Sequence, residues 1–431
     1  MLVADTAVVR PVSPSVLAAA APSTTPARRL THIPALDGLR GVAWATVFAT
    51  HAGLTEGVAG GQTVMFVFFG LSGFLITALI VNEHDTRGRV ALGRFFARRA
   101  ARLAPALVAF LVIWLGVVAI FGQDHWIGSV PGSSPGSAES LTVALQGVGA
   151  GLIYLTNWLG IFHVFTGYVP LGHLWSLAVE EQIYLFWAPL LVVLLLWRRR
   201  AALIGALVLS AASLVEVFLM VHAHHGGGGD RLYMGTDTRA AAFLVGGALA
   251  MLWARGGLSR WEVGHRSRLL MVSALVLIGA SLLWLHDGTD PLGYSVGWVA
   301  ATIGGPLLVV ALVMGRHGWV GHLLSGPQLT YLGRRSYALY LWHYVWLTWL
   351  RSLGWSGVGL ALLLSLVSAE LSWRLVEARF LGHRRADRSI TPSVPEAVIG
   401  SATWVRAGRS VLPWTPPPTP HPTPQPVSLP N

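Results

Sequence analysis

The sequence predicts an all-α fold, a polytopic integral membrane helical bundle with about ten transmembrane helices. Composition is the first observation, because 54% of the 431 residues are hydrophobic and only 11% are charged. The second is that apolar runs recur at lengths near the roughly 20 residues needed to cross a hydrocarbon core about 30 Å thick. The third is that the arginines lie in short clusters between these runs, as expected of loops that set orientation.

Ten apolar segments are interpreted as spans. In chain order they lie near residues 36–53, 64–82, 103–121, 175–197, 201–221, 240–254, 269–285, 295–314, 336–350 and 358–376. The semi-apolar stretch 141–162 is interrupted by glycines. An eleventh span there would put the arginines at 198–200 outside, against the positive-inside rule. We therefore predict that 141–162 is re-entrant or interfacial.

Arginine supplies all 30 basic residues and the net charge is +11. In the ten-span arrangement with a cytoplasmic N-terminus, the outer side holds only Arg231, Arg239 and Arg351. This asymmetry predicts a multi-pass protein of the plasma membrane with both termini in the cytoplasm. Because the charge follows the spans, nucleic acid is not an expected partner. Cysteine is absent, which excludes disulfides, thiolate metal sites and a cysteine nucleophile.

The chain divides into three regions. Residues 1–30 are rich in Ala, Pro, Ser and Thr and are expected to be a disordered cytoplasmic arm, since their apolar piece is too short for a secretory signal. Residues 31–383 form the membrane domain. The tail, 384–431, contains "PWTPPPTPHPTPQP" and is expected to be disordered, because a proline-rich segment cannot pack a core. No second folded domain is expected.

The stretch "DGLRGVAWATVFATH" contains two costly polar side chains, Arg40 and His51. They are eleven residues apart, which at 100° per residue is about 20° past three full turns. Both side chains therefore share one helix face, about 16 Å apart. Taken alone, Arg40 also fits a snorkelling interfacial arginine, and His51 fits a histidine that hydrogen-bonds between helices.

The fourth span begins with "LGHLWSLAVEEQIYLFW". If this stretch is helical, His173, Glu180 and Tyr184 share a face and Glu181 lies about 100° away. Glu180 is therefore the candidate for an inward-facing carboxylate. The alternative is an interfacial belt of Trp, His and Glu. That belt fits Trp175 but fits Glu180 poorly, since this carboxylate lies well inside the apolar run.

Two further stretches place polar residues beside spans. "YMGTDTRAAAFLVGG" puts Asp237 and Arg239 at the start of the sixth span, where the alternative to a functional role is an ion pair that caps the helix. "LGRRSYALYLWHYVW" puts Arg334 and Arg335 on the inner side. Three polar residues follow in the ninth span: Tyr337, Tyr340 and His343. The alternative to a functional role is that Tyr340 and His343 only form hydrogen bonds between helices of the bundle.

Seven short sequence motifs together resemble those of a known protein family. They are "LDGLRGVAWATVFATH", "FFGLSGFLIT" with Ser72, "RRAARLAP", "HLWSLAVEEQIYLF", "GTDTRAAAFLVGG", "LGRRSYALYLWH" and "WRLVEARF" with Glu377. In this order, over residues 35–381, the chain resembles acyltransferase family 3, the integral membrane O-acyltransferases that modify surface polysaccharides, antibiotics and other hydroxylated acceptors. The family usually has Pro two positions after the last glutamate, where this chain has Arg379. Many relatives carry a fused hydrolase-like domain, for which we expect this tail to be too short.

The resemblance implies an acyl-coenzyme A donor, with acetyl-CoA as the expected co-substrate and no tightly bound cofactor. It also implies a hydroxylated acceptor, either a glycan or a small molecule, and a lipid bilayer as surroundings. The phosphates of coenzyme A are expected to meet guanidinium groups on the cytoplasmic side. The expected docking residues are Arg40, Arg98, Arg99, Arg102, Arg334 and Arg335.

Roles for the remaining positions follow from the same resemblance. His51 is expected to take the proton of the acceptor hydroxyl, and Glu180 or Asp237 is expected to fix its tautomer. The residues expected on the acceptor side are His173, Trp175, Ser176, Tyr184 and Arg239. The motif residues without a separate role are Ser72, Tyr337, Tyr340, His343 and Glu377.

Other chemistries fit less well. "GLSGF", residues 70–74, resembles a nucleophile elbow only superficially, because Phe74 replaces the second glycine, and its glycines are expected to allow close helix packing. "HAHHGGGGD", residues 222–230, is expected to be a solvated loop, and no metal site is predicted. A transporter or flippase would also bury Arg, His and Asp, but it would not consume a thioester. A non-catalytic membrane scaffold is the third alternative, and it predicts that replacing His51 has no effect.

Overall fold

A computed structural model describes residues 31–121, 141–164, 171–223, 229–262, 265–285, 290–315 and 318–379. Within these ranges the secondary structure is helical and contains no strand. The predicted all-α class is therefore confirmed. The predictions for the arm 1–30 and the tail 384–431, and most of the histidine-containing loop 222–230, lie outside the described residues.

The described residues contain fifteen α-helices. The first five are α1 (Pro34–His51), α2 (Gly60–Arg87), α3 (Leu92–Phe121), α4 (Leu141–Leu152) and α5 (Thr156–Ile161). The next four are α6 (Trp175–Trp197), α7 (Arg199–Ala223), α8 (Gly229–Met234) and α9 (Thr236–Ala254). The last six are α10 (His265–Trp284), α11 (Pro291–Val313), α12 (Gly318–Leu324), α13 (Pro327–Arg334), α14 (Ser336–Leu350) and α15 (Gly354–Ser372).

Seven helices in the described part of the chain are long and apolar enough to cross a membrane. They are Gly60–Arg87, Leu92–Ile120, Gly172–Trp197, Arg199–Ala223, His265–Trp284, Pro291–Val313 and Gly354–Glu377. Since several such helices follow one another in a single chain, this is a multi-pass membrane protein.

The three other predicted spans are also helices, but they are shorter or more polar. α14 has 15 residues, so it is about 22 Å long, less than the hydrocarbon thickness of about 30 Å. α1 has 18 residues and α9 has 19, and each carries an Asp and an Arg near its start. The count of ten spans stays a prediction. In 141–162 the structure has α4, of 12 residues, and α5, of 6 residues, and neither is long enough to span.

α2 lies at the centre of the bundle. Its apolar window is 78% buried, whereas that of α10 is only 11% buried, so α10 is peripheral. A Cβ added at Gly73 of α2 would lie 1.9 Å from the carbonyl oxygen of Phe243 in α9. Only glycine permits this approach of the two backbones. The expected packing role of the glycines in "GLSGF" is therefore confirmed.

A second close approach brings the C-terminal helices against α1. A Cβ added at Gly333, in α13, would lie 1.7 Å from the carbonyl oxygen of Asp37 in α1. The glycine thus lets the backbone of α13 touch that of α1, and α14 begins at Ser336 just beyond it. As a result, α14 runs beside α1, which places the polar residues of these two helices next to each other.

Candidate active site

A groove lies between α1, α2, α6 and α14. It consists of two adjoining cavities that share lining residues. The residues that line both cavities define the groove: Arg40, Leu71, Ser72, Leu75, Leu177, Glu180 and Tyr337. Four helices thus contribute side chains to one continuous space.

The larger cavity forms the basic end of the groove. Arg40, Arg102 and Arg334 line it, and none of them pairs with a carboxylate among the described residues. The Nε atom of Arg40 is buried and has no hydrogen-bond partner in that part of the chain. A buried donor carries a desolvation cost until an acceptor reaches it. This end of the groove is therefore suited to bind an anion.

Glu180 and Glu181 have different surroundings. Glu180 lines the groove and accepts hydrogen bonds from the Oγ of Ser72, at 2.5 Å, and from the hydroxyl of Tyr184. Glu181 accepts from Arg99, whose Nε lies 2.8 Å from its Oε1. Arg99 also lies 3.7 Å from Glu180 and 3.5 Å above the ring of Tyr184. Glu180 is thus the carboxylate on the groove, and two glutamates compensate the charge of Arg99.

Arg98 and Arg335 line neither cavity. The Nε of Arg335 donates to Glu370 at 2.5 Å, and its guanidinium lies 3.8 Å above the ring of Tyr331. Arg98 lies 4.0 Å from Glu83. The six arginines expected to dock the donor therefore divide into three that line the groove without a described ion pair and three that already face carboxylates, and the docking role of each stays a prediction.

His51 ends α1 beside a second histidine. Its Nδ1 lies 2.9 Å from the Nε2 of His343 in α14, and the two rings stack at 5.2 Å with an angle of 15°. The ring of Tyr344 meets His51 edge-on at 5.0 Å. His173 stacks on Tyr344 at 4.9 Å. These four residues, His51, His173, His343 and Tyr344, form the histidine cluster.

The smaller cavity of the groove extends towards this cluster. Trp44 and Tyr340 line it. Trp44 lies between Arg40 and His51 on α1, and Tyr340 lies one turn before His343 on α14. The hydroxyl of Tyr340 donates to the carbonyl oxygen of His173 and lies 2.5 Å from the Oγ of Ser176. The groove thus leads from the unpaired arginines to the neighbourhood of the histidine cluster.

Neither acid that was expected to fix the His51 tautomer is bonded to it. Glu180 is held by Ser72 and Tyr184, as described above, and Asp237 is bonded through Oδ1 to Arg231 at 2.7 Å. The hydrogen-bond partner of the His51 Nδ1 is His343. Both carboxylates are thus bonded to other partners, and the roles expected for Glu180 and Asp237 stay predictions.

Arg239 lies in an aromatic box. It is 0% exposed, and its Nε donates to the carbonyl oxygen of Tyr233 at 2.7 Å. Its terminal nitrogens are buried without a hydrogen-bond partner among the described residues. Four rings surround its guanidinium carbon at 4.5–5.6 Å. They belong to Phe66, Trp175, Tyr233 and Trp298. The alternative of an ion pair between Asp237 and Arg239 is wrong, since Asp237 pairs with Arg231.

The five residues expected on the acceptor side do not form one surface. Ser176 and Tyr184 line the groove. Trp175 and Arg239 belong to the aromatic box, and His173 belongs to the histidine cluster, where its Nε2 lies 3.2 Å from the carbonyl oxygen of Leu341. The 3₁₀ turn Gly172–Leu174, α6 and α9 thus place these side chains in three separate environments, and their acceptor-side role stays a prediction.

The remaining motif residues are structural neighbours of the groove. Tyr337 lines it and donates to the carbonyl oxygen of Leu103 at 3.1 Å. Glu377 is buried in a π-helical turn, Trp373–Glu377, and lies 3.5 Å from the Oγ of Ser372. Helical structure continues to Arg379, where the family usually has proline and where the described residues end.

Sequence reasoning missed three residues of these sites. Trp44 lies four residues after Arg40, and helical spacing could have placed it in the groove. Tyr344 directly follows His343 in sequence, but nothing in the pattern indicated that it contacts His51. Arg231, the partner of Asp237, lies in α8, outside the quoted motif. Among the residues searched, no group of three His, Asp or Glu side chains could hold a metal ion.

Comparison with known proteins adds the decisive observation. A family model described as "Acyltransferase domain" matches residues 33–373, most of the chain and nearly all of the described structure. The chain belongs to acyltransferase family 3. The resemblance stated from the seven motifs is therefore confirmed, and the arginine end, the groove and the histidine cluster all lie within the matched region.

Curated relatives are similar over this same region. A "Putative peptidoglycan O-acetyltransferase" of Bacillus subtilis is 32% identical over 381 residues, 83% of this chain and 57% of the relative. A peptidoglycan O-acetyltransferase of Listeria monocytogenes is 29% identical over 361 residues, 80% of this chain and 55% of the relative. A "Putative O-acetyltransferase" of Staphylococcus aureus is 29% identical over 376 residues, 82% of this chain and 58% of the relative. The chain thus matches little more than half of each relative. No solved structure matches it.

Proposed function

We propose that this chain is a membrane O-acyltransferase that moves an acetyl group from acetyl-CoA to a hydroxyl of a glycan or glycosylated acceptor. One observation carries the proposal: the groove extends from three arginines that pair with no described carboxylate to Tyr340, whose ring lies 5.5 Å from that of His343 in the histidine cluster. Family membership supports acyl transfer in general. The names of the Bacillus and Listeria relatives support a carbohydrate acceptor.

The basic end of the groove suits the donor. Coenzyme A carries several phosphate charges, and guanidinium groups bind phosphate oxygens through paired hydrogen bonds. Arg40, Arg102 and Arg334 can supply such bonds because none of them forms a close ion pair with a described carboxylate, and Glu377 and Asp37 attract Arg102 only from a greater distance. The buried Nε of Arg40 is a donor that a phosphate oxygen would satisfy. In this proposal the anionic part of the donor enters at this end.

The walls of the groove suit the rest of the donor. Leu71, Leu75 and Leu177 line both cavities, and Trp44 lines the smaller one. The pantetheine arm would follow these apolar side chains, as apolar walls with few polar groups are typical of ligand sites. Its thioester would then lie near the histidine cluster. The cytoplasmic entry of the donor accords with the proposed cytoplasmic N-terminus.

The chemistry would take place at His51. The acceptor hydroxyl oxygen attacks the thioester carbonyl carbon while His51 takes the hydroxyl proton. A carbon–oxygen bond forms, the carbon–sulfur bond breaks, and the proton passes from His51 to the departing thiolate of coenzyme A. The products are the acetyl ester of the acceptor and free coenzyme A. His51 returns to its neutral state without a metal or a bound cofactor in these steps.

Release of free thiol tests this function. The purified chain is reconstituted in liposomes with acetyl-CoA and a chito-oligosaccharide as the acceptor probe, and a thiol reagent follows coenzyme A. Because the protein contains no cysteine, the reagent reports only the product. We expect release that depends on the acceptor, and we expect His51→Ala to lower kcat roughly 10²- to 10⁴-fold.

His222→Ala is the matched control, since His222 is an exposed histidine far along the chain whose Nδ1 donates to a backbone carbonyl of its own helix. It should turn over like the wild type. Full turnover by His51→Ala would exclude His51 as the general base. Acetyl-CoA that is never consumed, with a substrate that instead crosses the membrane, would support a transporter.

A further inference from the structure

We propose that His343 is a positioning residue that holds His51 as its Nδ1–H tautomer, so that the Nε2 of His51 is the basic atom. This inference rests on the proposed function, in which His51 is the base. His343 does not touch the reacting atoms in this account. It acts by fixing where the proton of His51 sits.

The tautomer of His343 follows from its backbone contact. The Nδ1 of His343 lies 2.7 Å from the carbonyl oxygen of Tyr340. A carbonyl oxygen can only accept a hydrogen bond, so this nitrogen carries the hydrogen. A neutral imidazole carries one hydrogen, and therefore the Nε2 of His343 has a free lone pair.

The tautomer of His51 follows in turn. Its Nδ1 lies 2.9 Å from the Nε2 of His343, a hydrogen-bond distance. Because the Nε2 of His343 can only accept, the Nδ1 of His51 must donate. The one hydrogen of neutral His51 is then on Nδ1, and its Nε2 is left unprotonated. One backbone carbonyl thus determines the protonation of two rings in series.

A doubly protonated His343 would reverse the direction of the hydrogen bond between the two histidines, because its Nε2 would then donate to His51. That state would place a full positive charge on a side chain that is 0% exposed. The aromatic rings that contact His343 are those of His51, His173, Phe48, Tyr340 and Tyr344. No carboxylate in the described part of the chain forms an ion pair with His343, and an unpaired buried charge is strongly disfavoured. The neutral form of His343 is therefore the one that fits its surroundings.

Two ring contacts fix the plane of His51 as well. His343 stacks on it nearly parallel, at 15°, and Tyr344 meets it at 72°. When His51 takes a proton on Nε2, its Nδ1–H still donates to His343, so the ring does not need to turn. The acceptor for the Nδ1–H of His51 is the neutral ring of His343, whereas catalytic triads use a carboxylate at this position. The proton on Nε2 is consequently not held by a fixed opposite charge and can pass to the leaving thiolate.

Nitrogen NMR tests the tautomer without requiring turnover. Full-length protein labelled with ¹⁵N at histidine is reconstituted in liposomes, and the His51 resonances are assigned by difference from His51→Ala. We expect a protonated Nδ1 and an unprotonated Nε2 for His51 in the wild type, and a mixture of tautomers in His343→Leu. An unprotonated Nδ1 in the wild type would overturn the proposal.

Kinetics separate positioning from packing. His343→Leu keeps an apolar side chain but removes the acceptor, and we expect kcat to fall about 10- to 100-fold with the KM for acetyl-CoA unchanged. His343→Gln keeps an acceptor oxygen near the Nε2 position and should recover most of the loss. The double variant His51→Ala, His343→Leu should be no slower than His51→Ala alone, since residues that act as a unit are not additive.

Each outcome bears on a different statement. Equal kcat for His343→Leu and the wild type would overturn the positioning role while leaving acyl transfer intact. An equal loss in His343→Gln and His343→Leu would also overturn it, because packing and not the acceptor would then matter. A wild type that releases no coenzyme A would refute the proposed function, and the NMR spectrum would still decide the tautomer.

Discussion

Two arginines, Arg40 and Arg239, stand in similar sequence contexts but in different surroundings. Each lies near the start of a helix and closely follows an aspartate, Asp37 or Asp237. In both cases a basic residue further upstream binds the aspartate. Asp37 lies 2.9 Å from His32, and Asp237 pairs with Arg231 as described above. Neither arginine is therefore paired with the aspartate that precedes it in sequence.

The difference lies in what compensates each guanidinium. Four aromatic rings enclose Arg239, and no part of the side chain is exposed. Ring faces attract cations, so the protein itself stabilises this charge. Arg40 lines an open groove, with an Nε that has no described partner. An arginine with a buried, unpaired nitrogen indicates a binding site for an anion when a ligand can reach it, and it contributes to packing when aromatic rings enclose it.

The largest expected effect is on stability, for Arg239→Ala. The truncation would leave a cavity between four rings. By analogy with other large buried side chains, we expect the free energy of unfolding to fall by about 2–5 kcal/mol. Thermal unfolding in detergent, followed by tryptophan fluorescence, measures it. Arg239→Met fills most of the space and should recover most of the loss. A normal unfolding temperature combined with a raised KM for acetyl-CoA would instead make the box a ligand site.

The next largest effect is on donor binding, for Arg40→Ala. Loss of a charge-assisted contact worth about 1.5–3 kcal/mol corresponds to a KM for acetyl-CoA raised roughly 10- to 150-fold. The unfolding temperature should not change, because the side chain faces a groove. Arg94→Ala is the control, as this arginine of α3 is exposed and lines neither cavity. A comparable rise in KM for Arg94→Ala would mean that general surface charge, and not a specific contact at Arg40, affects donor binding.

A smaller effect is expected for Arg40→Lys. Lysine keeps the charge but offers a single ammonium in place of the planar fork that binds two phosphate oxygens. The KM for acetyl-CoA should therefore lie between those of the wild type and Arg40→Ala. Steady-state thiol release at several donor concentrations gives the value. Full recovery by lysine would mean that charge alone matters and that the fork geometry has no role.

Much of the groove could be predicted from sequence because it depends on helical phase. The face shared by Arg40 and His51, and the separation of Glu180 from Glu181, follow from 3.6 residues per turn. The partner of His51 could not be predicted, since His343 is 292 residues away. That contact depends on the backbone approach of Gly333 to α1. Likewise, no local pattern distinguishes Arg231 from Arg239 as the partner of Asp237, because tertiary packing makes that choice.

Isothermal titration of a non-hydrolysable acetyl-CoA analogue tests the central claim most directly, namely that the donor binds at Arg40 and reacts at His51. The titration is made with the purified wild type, Arg40→Ala and His51→Ala, and each protein is also assayed for thiol release. We expect His51→Ala to bind the analogue like the wild type while losing turnover, and we expect Arg40→Ala to bind it about 10- to 150-fold more weakly. Wild-type affinity in Arg40→Ala, or substantial turnover in His51→Ala, would contradict the account.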